Sequence, residues 1–231
     1  MSIRLTLGLV AVFLSGCVGT GPTSNEEATE ILEQTLLHQK FVSYKNLRRY
    51  PGDVVCGDYQ SLDPWGGNEG YQPFAVVRGI PFKGLDKTGA AVFCSNDPAA
   101  GLQTSLGIGP LDESNPEQLQ AYQDLKTIFA ALEVFESQNG FYPSSDDGLE
   151  MLTESGEGSR AVPPPEGGYL GAVPLDPWGN AYRYYSEPLG GVKGKFDLWT
   201  LGADNAEGGT GRDADIRHDY LKYLDHVSSL Q

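Results

Sequence analysis

The chain has 231 residues, a formal charge of −15 and a turn-rich composition with 30 glycines and 15 prolines. That length is ample for one large domain or two small ones, and 39% apolar against 20% charged residues excludes both a wholly disordered chain and a polytopic membrane protein. With 31 acidic and 16 basic residues there is no cationic surplus, which argues against nucleic acid as a partner and against adhesion to anionic lipid by a basic patch. An acidic surface suits a divalent cation or a basic partner.

The chain begins with Arg4, the apolar run Leu5 to Leu14, and then Ser15, Gly16 and Cys17. An apolar run this short is a signal-peptide core, because a spanning helix needs about 20 residues. Leu14-Ser15-Gly16-Cys17 resembles a bacterial lipobox. That resemblance implies cleavage after residue 16 and acylation of Cys17, which anchors the protein to a membrane; the alternative is an ordinary secretory peptide with an incidental cysteine. Val18 in place of an aspartate implies, by the same analogy, an outer-membrane lipoprotein facing the periplasm or the cell surface. Residues 17–25 read as a tether. With Cys17 set aside, Cys56 and Cys94 are expected to pair in an oxidising compartment, which contributes about 3–4 kcal/mol. Two free buried thiols are the alternative.

Residues 26–48 open with Glu26 and Glu27 and carry apolar positions at Ala28, Ile31, Leu32, Leu36 and Leu37, which predicts a helix capped by Ser24 or Asn25 and broken at Tyr50-Pro51-Gly52-Asp53. Three strands are predicted next, at Val54–Tyr59, Phe74–Ile80 and Ala90–Cys94. Residues 26–94 thus form a small α+β module that a disulfide would staple. Residues 95–115 lack periodicity and read as a linker. Asn115-Pro116 suits an N-cap and first helical position, with Gln118 at a capping-box position. Leu119, Tyr122, Leu125, Ile128, Phe129, Leu132 and Phe135 form one apolar stripe, and Asn139-Gly140 ends the helix. Ile216, Tyr220, Leu224 and Val227 predict a further amphipathic helix over 217–231. His38, His218 and His226 read as surface residues. Trp65, Trp178 and Trp199 read as packing residues. Leu62-Asp63-Pro64-Trp65-Gly66 echoes Leu175-Asp176-Pro177-Trp178-Gly179, as two similar proline-initiated turns. No nucleophile–base set is visible, so an enzyme is not expected.

Three runs together carry a family resemblance: Asn139-Gly140-Phe141-Tyr142-Pro143, Asp176-Pro177-Trp178-Gly179-Asn180, and Leu201-Gly202-Ala203-Asp204 followed by Gly208-Gly209 and Asp213-Ala214-Asp215-Ile216. In this order they resemble the soluble domain of the major pseudopilin of type II secretion systems, over about residues 120–216. The resemblance implies a pilin-like α+β domain at 116–216, a long helix on a small antiparallel sheet, with a structural calcium ion in its final loop. Independently of it, Asp204, Asp213 and Asp215 are close, glycine-separated carboxylates whose mutual repulsion a hard cation would offset. Carried over, Asp204 with Asp213, Asp215 or both would supply side-chain oxygens, and Leu201 and a residue near Gly211 carbonyls; the alternative is a solvated acidic loop. The family's apolar N-terminal stalk is replaced by the lipobox, tether and disulfide module, so the expectation is an accessory or structural protein of a secretion or pilus-like assembly, with protein partners. An envelope lipoprotein that binds a ligand or partner with a borrowed fold is the alternative.

Overall fold

The computed structural model describes residues 24–36, 41–62, 65–68, 70–156, 161–186 and 195–230. The signal and lipobox residues 1–16, Cys17 with most of the tether, and His38 lie outside the described residues.

Helix α1 spans Asn25–Glu33, and Ser24 caps it by accepting from the Glu27 amide at 3.0 Å. The predicted helix over 26–48 stops there: Ser43–Tyr50 is strand β1. The Pro51-Gly52-Asp53 turn lets it pair antiparallel with β2, Val54–Gln60, and Tyr44 and Leu47 then pack toward α1. β3 (Gln72–Val77) and β4 (Ile80–Lys83) complete a sheet of order β1-β2-β3-β4. The predicted strand Phe74–Ile80 is thus split by a turn at Arg78-Gly79, where both residues have positive φ. Ala90–Cys94, predicted as a strand, falls instead mostly in helix α2, Lys87–Phe93, which Asp86 caps through the Gly89 amide at 2.7 Å.

The segment 95–115, read as a linker, carries helix α3, Pro98–Leu106, with Asp97 capping the Ala100 amide at 3.0 Å and Gly107 closing it in the left-handed region. Helix α4 is Pro116–Asn139, ended by Gly140 as expected. Asn115 makes no side-chain cap, because its amide nitrogen is directed to the Pro110 carbonyl and to Gln118. The second sheet is antiparallel and ordered β5-β6-β7, from Arg183–Ser186, Phe196–Thr200 and Ile216–Arg217. Ile216, expected on the last helix, is therefore a strand residue. Helix α5 begins only at Leu221 and runs to Ser228.

Two clusters fill the α+β fold. Ala28, Leu32, Val55, Tyr59, Phe74 and Val76 join α1 to one face of the first sheet. The alternate residues Val54, Cys56, Ala75 and Val77 face the other way, into one core with Leu102, Ile108, Leu125, Leu132, Leu198 and Leu224. The period of two in a strand makes both faces of β2 and β3 apolar. Cys56 and Cys94 form a disulfide with Cα atoms 5.9 Å apart, which ties the end of α2 to β2. Among the described residues no helix is long and apolar enough to cross a membrane.

Helix α5 closes this core. Tyr223 packs against Phe93 with tilted rings 5.2 Å apart and donates to Asp86 at 3.3 Å, while Lys126 pairs with Asp225 at 2.8 Å. His226, read as a surface residue, is fully buried, and neither ring nitrogen has a partner among the described residues. Burial, and secondarily the Arg78 charge, push its pKa down to about 4. Because the folded value lies below the unfolded one, this group's contribution is complete above about pH 6.5 and is lost as pH falls through 4. Replacing His226 by Leu is expected to raise stability near pH 7 by about 1 kcal/mol and to flatten the acid-side decline, as measured by urea unfolding across that pH range.

Candidate metal loop

The candidate loop runs from the end of β6 to the start of β7. It is anchored at its start by a buried carboxylate. Asp176 accepts from the Trp178 and Asn180 amides at 3.1 and 2.7 Å, which closes the Asp-Pro-Trp-Gly-Asn turn, and from the Thr200 hydroxyl with its other oxygen. Gly202 in turn donates to that hydroxyl at 3.4 Å. In sequence Asp176 stands out only as part of the Asp-Pro-Trp-Gly-Asn motif; its role in holding β6 depends on a contact 24 residues away that spacing does not reveal. The echoed turn closes in the same way: each is bounded by an antiparallel bridge, Leu62 with Asn68 and Leu175 with Ala181. Trp178 nevertheless packs against the core, whereas Trp65 is 92% exposed and is not a packing residue. Trp199 lies beneath Arg217, whose guanidinium is 5.3 Å from the ring centre.

The loop then folds onto itself through backbone. The Ala203 amide donates to the Arg212 carbonyl at 2.9 Å and the Asp215 amide to the Gly208 carbonyl at 3.3 Å. Gly209 sits so close to Asp213 that a Cβ there would lie 2.1 Å from the Asp213 carbonyl oxygen. Only glycine fits that approach at its φ of +82°.

Of the predicted ligands, Leu201 is buried at the loop's start, and Asp204 is exposed and accepts from the Ala206 amide at 3.1 Å. Asp213 is exposed on the short turn Gly211–Asp213. One oxygen of Asp215 accepts from the Gly208 amide at 3.1 Å; the other is buried with no partner among the described residues. The Gly211 carbonyl is already engaged, by the Gln118 side-chain amide and by the Ala214 amide at 3.1 Å. Among the described residues no three His, Cys, Asp or Glu side chains gather as a metal cage. The donors are all oxygens, and the orphaned Asp215 oxygen carries an uncompensated desolvation cost that a cation would relieve. The donor chemistry therefore fits a hard cation, with the unsatisfied Asp215 oxygen as the carboxylate ligand it offers.

Asp215 also borders a cavity of about 350 Å³ between the loop and the last turn of α3, lined among others by Gln103, Thr104, Ser105, Thr210 and Tyr220. Burial, and then the Asp219 charge, raise the Tyr220 pKa, so its phenol stays protonated. A second cleft, of about 570 Å³, is lined by Phe129, Glu133, Tyr142 and His218. His218, also read as a surface residue, stacks on Phe196 at 4.7 Å and accepts from the Leu198 amide at 3.2 Å. Burial lowers its pKa, and Asp219 partly offsets this.

The sequence model of the family described as Type II secretion system (T2SS), protein G matches residues 109–219. The type II secretion system core protein G of Pseudomonas aeruginosa is 44% identical over 110 residues, 45% of this chain and 73% of that protein. That of Vibrio cholerae serotype O1 is 40% identical over 105 residues, 46% and 70% of the two chains. A crystal structure of the major pseudopilin from the type 2 secretion system of enterohaemorrhagic Escherichia coli aligns with a TM-score of 0.35 at 22% identity, over 46% of this chain and 88% of that one.

Asp176→Ala is expected to cost about 3 kcal/mol, since it orphans two amides and a hydroxyl, and Thr200→Val about 1 kcal/mol, both read by chemical denaturation at neutral pH.

Proposed function

Because the chain belongs to the type II secretion system protein G family through its C-terminal half, we propose that it is an envelope lipoprotein that presents a calcium-stabilised pseudopilin-like domain in an accessory or structural role in type II secretion or a related filament system. The observation that carries this reading is how α4 begins. Its first residue is Pro116, and the chain before it turns back at Gly107–Gly109 to place Ile108 and Leu111 in the core. The stretch N-terminal to the family helix is thus folded against the domain, not extended from it as a stalk. A subunit built this way contributes its head to an assembly without filament packing through a continuous helix. Its role is structural, as in the core proteins it resembles, and Cys17 supplies the membrane attachment as an acylated outer-membrane anchor. Deleting the gene in a secreting strain is expected to impair secretion or filament assembly, and Cys17→Ser to move the protein from the membrane pellet to the soluble fraction; unchanged secretion would remove this reading.

Calcium in the loop is supported by the orphaned Asp215 oxygen and by the all-oxygen donor set of Leu201, Asp204, Asp213 and Asp215. At a hundredfold excess over its dissociation constant, such a ligand stabilises by about 2.7 kcal/mol. Thermal melting is expected to rise with calcium over chelator in the wild type and to show no such rise in Asp215→Asn.

The second reading, a partner-binding lipoprotein that borrows the fold, is favoured by Trp65, 92% exposed on the connection between β2 and β3. Exposed tryptophans are frequent binding anchors. Trp65→Ala that leaves secretion intact but abolishes capture of an envelope protein would favour this second reading.

A further inference from the structure

We propose that Gln118 and the Gly107 elbow position the cation loop, so that cation affinity in this chain depends on docking of the N-terminal unit against it. This rests on the calcium reading above. Gln118 is fully buried on the first turn of α4. Its side-chain oxygen accepts from the Gly109 amide at 3.0 Å and from the Asn115 side-chain amide, and its nitrogen donates to the Gly211 carbonyl. The Gly107 carbonyl accepts from the Gly211 amide at 2.7 Å. Both polar groups of the Gly211 backbone are therefore held, the amide by the elbow at Gly107 and the carbonyl by Gln118 on the first turn of α4. Gly211 lies two residues before Asp213 and four before Asp215, inside the turn that carries both carboxylates.

The contact is close as well as polar. Gly107 has φ +69°, and a Cβ there would stand 2.9 Å from the Gly209 carbonyl oxygen and 3.0 Å from the Thr210 methyl. The elbow and the loop meet backbone to backbone, with the Asp215 cavity beside them. Gly107 and α3 lie before residue 109, where the family match begins.

A loop whose carbonyls and carboxylates are held before the cation arrives loses less entropy on binding, and supports outside the coordinating set commonly govern affinity by 10–100-fold. By linkage, the cation then tightens the seat of the N-terminal unit by the same free energy.

The test uses the full chain and calcium itself. Gln118→Met keeps volume and loses all three hydrogen bonds; Gly107→Ala presses on Gly209 and leaves Gln118 intact. Calorimetric titration is expected to show calcium bound about tenfold more weakly by each variant. The rise in melting temperature with calcium should shrink, with unchanged helix content by circular dichroism. A purely structural role would lower the melting temperature equally with calcium and with chelator and leave the dissociation constant unchanged, and that result overturns the proposal. If one variant fails to fold, the other decides. If the wild type binds no calcium, the calcium reading has failed and the clamp falls with it; wild-type binding with undiminished affinity in the variants refutes the clamp alone.

Discussion

The rest of the structure depends on covering the apolar face of α4. Leu125, Ile128, Leu132 and Phe135 are almost wholly buried along one side of the helix, and a stripe of that width must be removed from water on one continuous surface. The three-stranded sheet covers part of it through Phe196 and Leu198. The remainder is closed by elements outside that sheet: α5, α3 and the inner face of the first sheet. The same cluster therefore runs from Val54 to Val227. Although the chain can be divided by sequence into a module and a family domain, its two parts share a core.

That sharing explains the geometry of the acidic loop. A turn carrying Asp204, Asp213 and Asp215 buries little apolar surface beyond Leu201 and Ala214 and is opposed by its own charge. It is held instead by backbone hydrogen bonds, by the Asp176–Thr200–Gly202 chain at its start and by Gln118 and Gly107 near its middle. Each of these supports reaches the loop from a different element, and the Asp176–Thr200 bond is buried, where a hydrogen bond is strongest and its loss costs most. The Asp215 oxygen left without a partner is the point at which this internal satisfaction is incomplete.

The buried imidazole of His226, on α5, is a second weak point. It packs edge-on to Phe93, 5.4 Å between ring centres, beside the cysteine that anchors α2 to β2. Disulfide, α2 and α5 thus form one chain of contacts from the first sheet to the C-terminal helix. Apolar packing and a covalent tie hold it together, and a desolvated neutral histidine sits in the middle.

Local rules made several features legible. The period and the Gly140 stop of α4, the Cys56–Cys94 pair and the family motifs all followed from residues close in sequence or from composition. The same rules were available for α3, where Asp97-Pro98 and Gly107 mark both ends; its weak amphipathic pattern hid it, because a short helix buried by neighbours needs no sharp polar face. The strand β1 and the helix α2 exchanged places with their predicted types because cross-strand pairing and core burial outweigh a fraction of a kcal/mol of local propensity. Residue chemistry alone determined that this chain carries a pseudopilin-type helix, an oxygen-rich acidic loop and two cysteines to pair. Only the tertiary structure decided that the N-terminal part enters the same core, that His226 is buried and Trp65 exposed, and that Gln118 faces the loop instead of capping its own helix. Those outcomes depend on contacts between residues as far as 137 positions apart, and the energy of such contacts is set by which surfaces meet, which no local pattern encodes.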